Sequence, residues 1–335
     1  VENEAIRDLV AKQKAAGFHA ITDGEFRRSY WHLDFMWGLN GIERRTSRTG
    51  YMFHDEETTA DTAVVTGKIS GENHPFVEHF KFVKALEKDG QVARQTVPAP
   101  VQTYSEVILD RCDGQIESLR SVYADDEALI EDIAAAYRTV IADLYAAGCR
   151  SIQFDDCTWG IYCDADFVAK TGMDPVDIQK VSELGVRLNN LAIEGKPEDL
   201  VITTHVCRGN YHSTYAFEGG YDPIAPYLFA DENVDAFYLE FDTPRAGTFE
   251  PLKYVAEGKK VVLGLVTSKQ PGLEDEELLI SRINEAAKYV PLENLYLSPQ
   301  CGFASCECGN KLTEDEQWAK VALVKRVAEK VWGEA

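Results

Sequence analysis

Five apolar runs of this chain end in side chains that can ionise or bind a metal. The terminal residues are Asp23, Glu25, Asp155, Asp156, His205, Cys207, Glu240 and Cys301. Ionisable groups at the ends of buried strands are costly unless they are paired, hydrogen-bonded or bound to a metal. Imidazole, thiolate and carboxylate are the donors that Zn²⁺ takes in proteins. The set therefore predicts metal binding together with carboxylate recognition of a substrate.

His205, Cys207, Glu240 and Cys301 form the candidate tetrahedral Zn²⁺ site, with N, S, O and S donors. His205 and Cys207 are two positions apart, so in an extended strand their side chains point to the same side. By itself this spacing is a weak signal, because a core histidine and an inert buried cysteine would also produce it. With Glu240 and Cys301 at matching strand ends, zinc is the favoured interpretation.

Two more cysteines follow Cys301 in SPQCGFASCECGN at 298–310, namely Cys306 and Cys308. A self-contained cluster of the three thiols would need a fourth ligand, and it lacks the usual C-x2-C pairing. We therefore predict that Cys301 is a ligand and that Cys306 and Cys308 are not. A supporting or redox role for the pair stays open.

Short strand-like runs alternate with long amphipathic segments along the whole chain. The predicted strands are 18–24, 64–70, 95–100, 151–156, 201–206, 236–241, 260–266 and 295–299. Apolar residues at helical spacing predict a helix over 130–144, and Thr313 with Glu316 predicts a capping box at the start of the last helix. In that helix the stripe expected to be buried is Trp318, Val321, Val324, Val327 and Val331.

Such strand–helix repeats form either an open doubly wound sheet or a (β/α)8 barrel. No G-x-G-x-x-G follows the first run, which weakens the dinucleotide-binding alternative. We predict an α/β protein of the (β/α)8 TIM-barrel class. The span 42–75 lacks helical periodicity, so an inserted hairpin is expected there, and no linker divides 1–335 into more than a single domain.

Composition narrows the possible partners. The 335 residues carry a formal net charge of −22, which argues against nucleic acid and anionic membrane as partners. No apolar run approaches the ~18 residues of a membrane span, and no leader is recognisable. Eight cysteines without a targeting signal favour reduced thiols. The expectation is a soluble cytoplasmic protein.

From about residue 5 onward the chain resembles the catalytic barrel of cobalamin-independent methionine synthase and its short single-barrel relatives. The motifs that carry the resemblance are DGEF, QFDDC, THVCRGN, YLEFDT and SPQCGF. It implies Zn²⁺ held by His205, Cys207, Glu240 and Cys301, and homocysteine or a similar small thiol methylated as a zinc-bound thiolate. That activity is a methyltransferase step of methionine biosynthesis.

The same resemblance implies that Asp155 and Glu25 bind the substrate ammonium, with Asp156 beside them. It also marks departures. Asp156 and Cys157 replace a Glu-Pro pair, and Lys269 stands where the large enzymes carry a catalytic histidine. The family's first strand has no counterpart, so we expect it to precede Val1, and the run 64–70 then belongs to the hairpin.

The methyl donor implied by the family is methyltetrahydrofolate, with a methylcorrinoid or a sulfonium as the alternative. Lysine is a weaker acid than histidine by about four pKa units, so Lys269 favours a donor that needs little acid assistance. Two other functions remain open. A noncatalytic zinc-binding paralogue would need no amine site, and a uroporphyrinogen decarboxylase-like barrel would need arginines and no zinc. Oligomeric state is not predicted.

Overall fold

The computed structural model describes residues 1–54, 56–88 and 90–333. The strands are β1 (Ala20–Ile21), β2 (Asn40–Thr46), β3 (Asp61–Ser70), β4 (Val92–Pro98), β5 (Ser151–Asp156), β6 (Val201–Val206), β7 (Ala236–Glu240), β8 (Lys260–Val266) and β9 (Leu295–Pro299).

The helices among these residues alternate with the strands. They are α1 (Glu2–Ala15), α2 (Leu33–Gly38), α3 (Phe76–Lys84), α4 (Pro100–Val107), α5 (Gln115–Val122), α6 (Asp126–Ala146), α7 (Thr158–Cys163), α8 (Ala165–Thr171), α9 (Pro175–Ile193), α10 (Ala225–Asp231), α11 (Glu276–Ala286) and α12 (Glu314–Trp332). Short 3₁₀ helices cover Pro244–Ala246, Glu250–Tyr254 and Leu292–Asn294. None of the described helices is both long and apolar enough to cross a membrane.

Seven strands form one parallel sheet in the order β1-β4-β5-β6-β7-β8-β9. Consecutive parallel strands joined by helices define the α/β fold of the (β/α)8 TIM-barrel class, so the predicted fold class is confirmed. The antiparallel pair β2 and β3 confirms the hairpin expected within 42–75. The run 64–70 is part of β3 and not of the parallel sheet.

The chain divides into two compact units. The first comprises Val1–Met52, Glu56–Asp155 and Arg187–Ile202, and the second contains Asp156–Val186 and the described residues from 203 onward. Strand β6 begins in the first unit and ends in the second. The single domain over 1–335 stays a prediction.

Helix α6 is anchored within the first unit by its N-terminal cap and by side-chain hydrogen bonds. Asp125 caps its N-terminus by accepting a hydrogen bond from the backbone N–H of Ala128. The apolar residues at helical spacing that predicted a helix over 130–144 are buried, and one of them, Tyr137, bonds Thr103 (2.7 Å) and the Pro98 carbonyl oxygen (3.0 Å). The helix is thereby fixed to the end of β4, where the next strand along carries Asp155 opposite Pro98.

Candidate functional site

The four predicted metal ligands come together in the second unit. His205 and Cys207 lie at the end of β6, Glu240 is the last residue of β7, and Cys301 follows β9 by two residues. Their ligand atoms all lie within 4.8 Å of one another. Glu240 is fully buried, His205 and Cys207 are buried, and Cys301 is half-buried. Neither Cys306 nor Cys308 belongs to this group.

The spacing of the two sulfurs fits zinc. The Sγ atoms of Cys207 and Cys301 are 3.8 Å apart. Two thiolates bound tetrahedrally, each with a Zn–S bond of about 2.3 Å, have sulfurs about 3.8 Å apart. The donor set and this distance therefore match a tetrahedral zinc site, and the assignment of the four residues as zinc ligands remains a prediction.

A backbone contact orients the imidazole ring of His205. Its Nδ1 lies 3.3 Å from the backbone carbonyl oxygen of Tyr238, the residue that pairs with it in β7. A carbonyl oxygen can only accept, so this contact requires the proton on Nδ1, and Nε2 is the nitrogen that would bind a metal. A backbone carbonyl bound to the second ring nitrogen is the usual way in which a ligand histidine is held.

Glu240 is fixed through both its backbone and its carboxylate. The Tyr221 hydroxyl accepts from the Glu240 N–H (2.9 Å) and donates to the Glu240 carbonyl oxygen (3.1 Å). The backbone N–H of Arg208 donates to Oε1 (2.8 Å), and the Arg245 guanidinium donates to Oε2 (3.3 Å). A buried carboxylate so held costs little further entropy when it binds a metal.

The thiols influence one another. Hydrogen bonds with Cys157 and Cys301, together with burial, raise the pKa of Cys207 well above its usual range. The bond from Cys207 is also the main reason why the pKa of Cys301 is lowered, and interactions with His205 and Lys269 lower it further. Cys157 is therefore a third thiol beside the two candidate ligand sulfurs.

Lys269 lies beside the ligand group in the second unit. Its buried Nζ donates to the Gly209 carbonyl oxygen (3.1 Å) and to Asn210 Oδ1 (3.0 Å). Asn310 Nδ2 donates to the same Oδ1 (3.0 Å) and to the Ser268 carbonyl oxygen (2.8 Å). This network joins the loops that follow β6, β8 and β9. A catalytic role for Lys269 stays a prediction.

Glu25 lies on a tight turn of the first unit. Its φ is +62°, a left-handed conformation that is uncommon for any residue but glycine. Asp23 Oδ1 accepts from its N–H (2.9 Å), Thr96 Oγ1 donates to its Oε1 (2.6 Å), and Arg28 pairs with the same oxygen at 3.1 Å. Backbone strain of this kind occurs most often at functional positions.

Asp155 lies on β5, the strand next to β4, whose Thr96 bonds Glu25. Gln153 Nε2 donates to its Oδ1 (2.8 Å), and Gln153 pairs with Thr96 across β4 and β5. Residues 153 and 155 share a face because side chains alternate along a strand. Thr96 bonds Glu25 and its strand partner Gln153 bonds Asp155, so one pair of facing residues supports both carboxylates. Their role in amine binding is untested and stays a prediction.

Asp156 has a different environment in the second unit. It is completely buried, and its Oδ1 accepts from the backbone N–H of Thr158 (2.9 Å) at the start of α7. Burial and this bond favour a part in starting the helix. Its predicted contact with substrate is untested.

Several residues around the site were not predicted from the sequence. Arg28, three positions after Glu25, could have been found from the motif itself. Tyr221 and Asn310 have no local signal, because each reaches its partner through the tertiary fold, whereas Arg245 follows its partner Glu240 by only five residues.

Comparison with known proteins identifies the family. The family model described as cobalamin-independent synthase, catalytic domain, matches residues 1–330. The uncharacterized protein YxjG of Bacillus subtilis is 40% identical over 339 residues, covering 99% of this chain and 86% of its own. A methionine synthase of Saccharolobus solfataricus is 24% identical and covers 90% of this chain and 77% of its own.

A crystal structure from Listeria monocytogenes has a similar fold. It is provisionally described as a vitamin-B12 independent methionine synthase. It superposes with a TM-score of 0.73 at 38% identity and covers 99% of this chain and 87% of its own. The chain belongs to the cobalamin-independent methionine synthase family, through its catalytic domain, and is a methionine synthase-like methyltransferase.

Proposed function

We propose that the protein transfers a methyl group to the sulfur of homocysteine or a similar small thiol, with Zn²⁺ held by His205, Cys207, Glu240 and Cys301. The observation that carries this proposal is the convergence of these four donors within 4.8 Å in a methyltransferase-family chain.

The metal and the residues around it have separate tasks. Bound zinc is a Lewis acid that lowers the pKa of a substrate thiol, which makes the sulfur a nucleophile at neutral pH. Two thiolates and Glu240 give the centre a negative charge and limit how far electron density is drawn from that sulfur. Arg245, 3.3 Å from Glu240 Oε2, orients the carboxylate inside the core.

The substrate ammonium is the part that Glu25 and Asp155 recognise. Carboxylates bind ammonium groups by charge-assisted hydrogen bonds, which are stronger than neutral ones. Arg28 is almost fully buried and fixes Glu25, whose side chain is 23% exposed and therefore still accessible to a ligand. These contacts orient the amino acid, so they determine which small thiol is accepted.

The methyl donor is methyltetrahydrofolate or a donor that leaves without acid assistance, such as a methylcorrinoid. The leaving group takes the electron pair of the bond to the methyl carbon, and a departing amine nitrogen also needs a proton. Lys269, held by Gly209 and Asn210, is the residue of this chain that is the candidate to supply that proton.

A reconstitution assay tests the proposal. The purified protein is stripped with a chelator and resupplied with either zinc or magnesium. It is then incubated with homocysteine and each donor, and methionine is measured by mass spectrometry. We expect about one zinc per chain and methionine only in the zinc sample. Zinc binding without methionine from any donor would contradict homocysteine as the acceptor, and activity in the magnesium sample would contradict the zinc assignment.

A further inference from the structure

A second thiol pair lies outside the metal-ligand group. The Sγ atoms of Cys306 and Cys308 are 3.1 Å apart, nearer to each other than the 3.8 Å between the ligand sulfurs of Cys207 and Cys301. A disulfide bond is about 2.05 Å long, so closure requires the two sulfurs to approach by about 1 Å.

The loop that carries this pair is held by hydrogen bonds. The Gly309 N–H donates to the Cys306 carbonyl oxygen (3.0 Å), and the Asn310 N–H donates to the Phe303 carbonyl oxygen (3.2 Å). Gly309 has a φ of +62°, which turns the chain directly after Cys308. The Asn310 side chain accepts from the Ser213 N–H (2.9 Å), which anchors the end of the loop. The loop therefore keeps the two thiols adjacent.

The two thiols differ in accessibility. Cys308 is exposed, and the other seven cysteines, all within the described chain, are buried or half-buried. Burial, followed by the neighbouring Cys308, raises the pKa of Cys306 to about 12. A reagent in solution reaches Cys308 first, because thiolate character and access control the rate of thiol exchange. Cys306 is then the thiol that attacks second.

We propose that Cys306 and Cys308 form a reversible dithiol–disulfide site that reacts with small disulfides of the glutathione type. The Cys308 sulfur attacks one sulfur of the small disulfide, breaks its S–S bond and releases one thiol. Cys306 attacks the resulting mixed disulfide at Cys308, closes the intraloop disulfide and releases the second thiol. The protein loses two protons and two electrons, and the small disulfide takes up both to become two thiols.

This site does not depend on the proposed methyl transfer. Neither cysteine belongs to the group of four metal-ligand candidates, and the exchange needs no metal. The pair follows Cys301 by five residues, so a zinc measurement made in the same experiment separates exchange in the loop from damage to the metal centre.

The test exposes the zinc-loaded protein to oxidised glutathione and identifies the products by intact-mass and peptide mass spectrometry. We expect the wild type to lose the mass of two hydrogen atoms, with the new disulfide mapped to Cys306 and Cys308. Cys306→Ser should retain one glutathione on Cys308, because the second attack is removed. Cys308→Ser should react at least about tenfold more slowly, because the remaining thiol of the pair is half-buried. Zinc content should be the same in all three proteins.

Other outcomes overturn the proposal. A stable glutathione adduct on wild-type Cys308 would mean that the pair does not close. No reaction at either cysteine, or a disulfide that includes Cys301 with release of zinc, would also contradict the assignment. Adding excess dithiothreitol should restore the original mass, and a modification that persists would not be a reversible disulfide.

Discussion

The two candidate binding regions are constructed in different ways. The candidate metal centre of the second unit takes its donors from the ends of strands or just beyond them, with Glu240 fully enclosed and Cys301 half-buried. The carboxylate cluster of the first unit has Glu25 on a strained turn, and both Glu25 and Asp155 are only half-buried. A resident ion needs a fixed set of donors, whereas a substrate must enter and leave. Rigid strand ends suit the first task, and accessible turn residues suit the second.

The regions also differ in how charge is balanced. Glu25 already has an internal cation in Arg28, at 3.1 Å, and an amine would add a second positive group. In the metal centre, Arg245 contacts one carboxylate oxygen of Glu240, while the neighbouring donors are thiols and an imidazole. The second unit therefore brings together thiol, imidazole and carboxylate donors whose electron pairs and negative charge a divalent cation would stabilise.

Removing one donor of the metal centre should have the largest effect. Loss of a residue that merely orients a ligand typically lowers metal affinity by about 10–100-fold, so loss of a ligand should exceed that. We expect Cys301→Ala and His205→Ala to contain little zinc and to lose methyl transfer. Metal content by elemental analysis and a chelator competition measure this. The matched control is Cys308→Ser, which should keep its zinc, and full zinc in Cys301→Ala would refute the ligand set.

Acid should destabilise the first unit through its buried histidines. His74 Nδ1 accepts from the Phe76 N–H (3.2 Å) and its Nε2 is 2.9 Å from the Phe35 carbonyl oxygen, so the neutral ring satisfies both contacts. Burial lowers the pKa of His74 to about 4, and burial followed by the charge of Arg111 lowers the pKa of His32 to about 3.

The lowered pKa values of these histidines determine how stability changes with pH. Between pH 6.5 and 4 the unfolded chain binds a proton at His74 that the folded chain does not, so stability is complete above pH 6.5 and falls as the pH drops. The loss from His74 is about 3 kcal/mol, at about 1.4 kcal/mol per pKa unit. Urea midpoints of metal-free protein from pH 7.5 to 4.5 measure it. His74→Gln should flatten the dependence and exposed His19→Gln should not; equal slopes in all three proteins would contradict the assignment.

The sequence predictions were accurate where the signal came from residues close together in the chain. Strands β5, β6, β8 and β9 coincide with the predicted runs, because buried parallel strands are continuous apolar segments. The run 18–24 shortened to Ala20–Ile21, since Thr22 bonds Gln13 and the turn with Asp23 begins at once. The capping box of Thr313 and Glu316 is confirmed.

The last helix shows why the rest could not be predicted. Val321 and Val327 are buried, whereas Trp318, Val324 and Val331 of the expected stripe are only half-buried. Lys320 is instead completely buried, because its Nζ donates to the Gly272 carbonyl oxygen and to Glu274. That partner lies 46 residues away, and no periodicity in the sequence indicates it.

The same limit applies to the site. The donor types of the metal centre are visible at strand ends, and the structure brings all four together. The residues that orient them are not visible locally. Tyr221 reaches Glu240 from 19 residues away, and Cys157 becomes a neighbour of Cys207 only when β5 and β6 end side by side.

The carboxylate cluster predicts a smaller effect that leaves the metal in place. Asp155→Asn and Glu25→Gln should weaken homocysteine binding by about 10–100-fold, since an unmatched buried polar partner costs about 1–3 kcal/mol. Zinc content should equal that of the wild type, and isothermal titration with homocysteine measures the affinity. The matched control is Glu43→Gln, an exposed carboxylate on β2. Unchanged affinity in both test variants would place amine recognition elsewhere.

The smallest expected effect concerns the methyl donor and depends on Lys269. Its ammonium already donates to two oxygens, Gly209 O and Asn210 Oδ1, and lysine is a weaker general acid than histidine by about four pKa units. A departing amine nitrogen must be protonated, whereas a corrinoid or a thioether leaves without a proton. We therefore expect kcat/KM for a methylcorrinoid or a methylsulfonium to exceed that for methyltetrahydrofolate by about tenfold, or about 1.4 kcal/mol.

Lys269→His should narrow this ratio by raising the folate rate, and its zinc content serves as the control for an intact metal centre. A wild-type protein that clearly prefers methyltetrahydrofolate would show that bound water or another residue supplies the proton, and Lys269 would then have no part in selecting the donor.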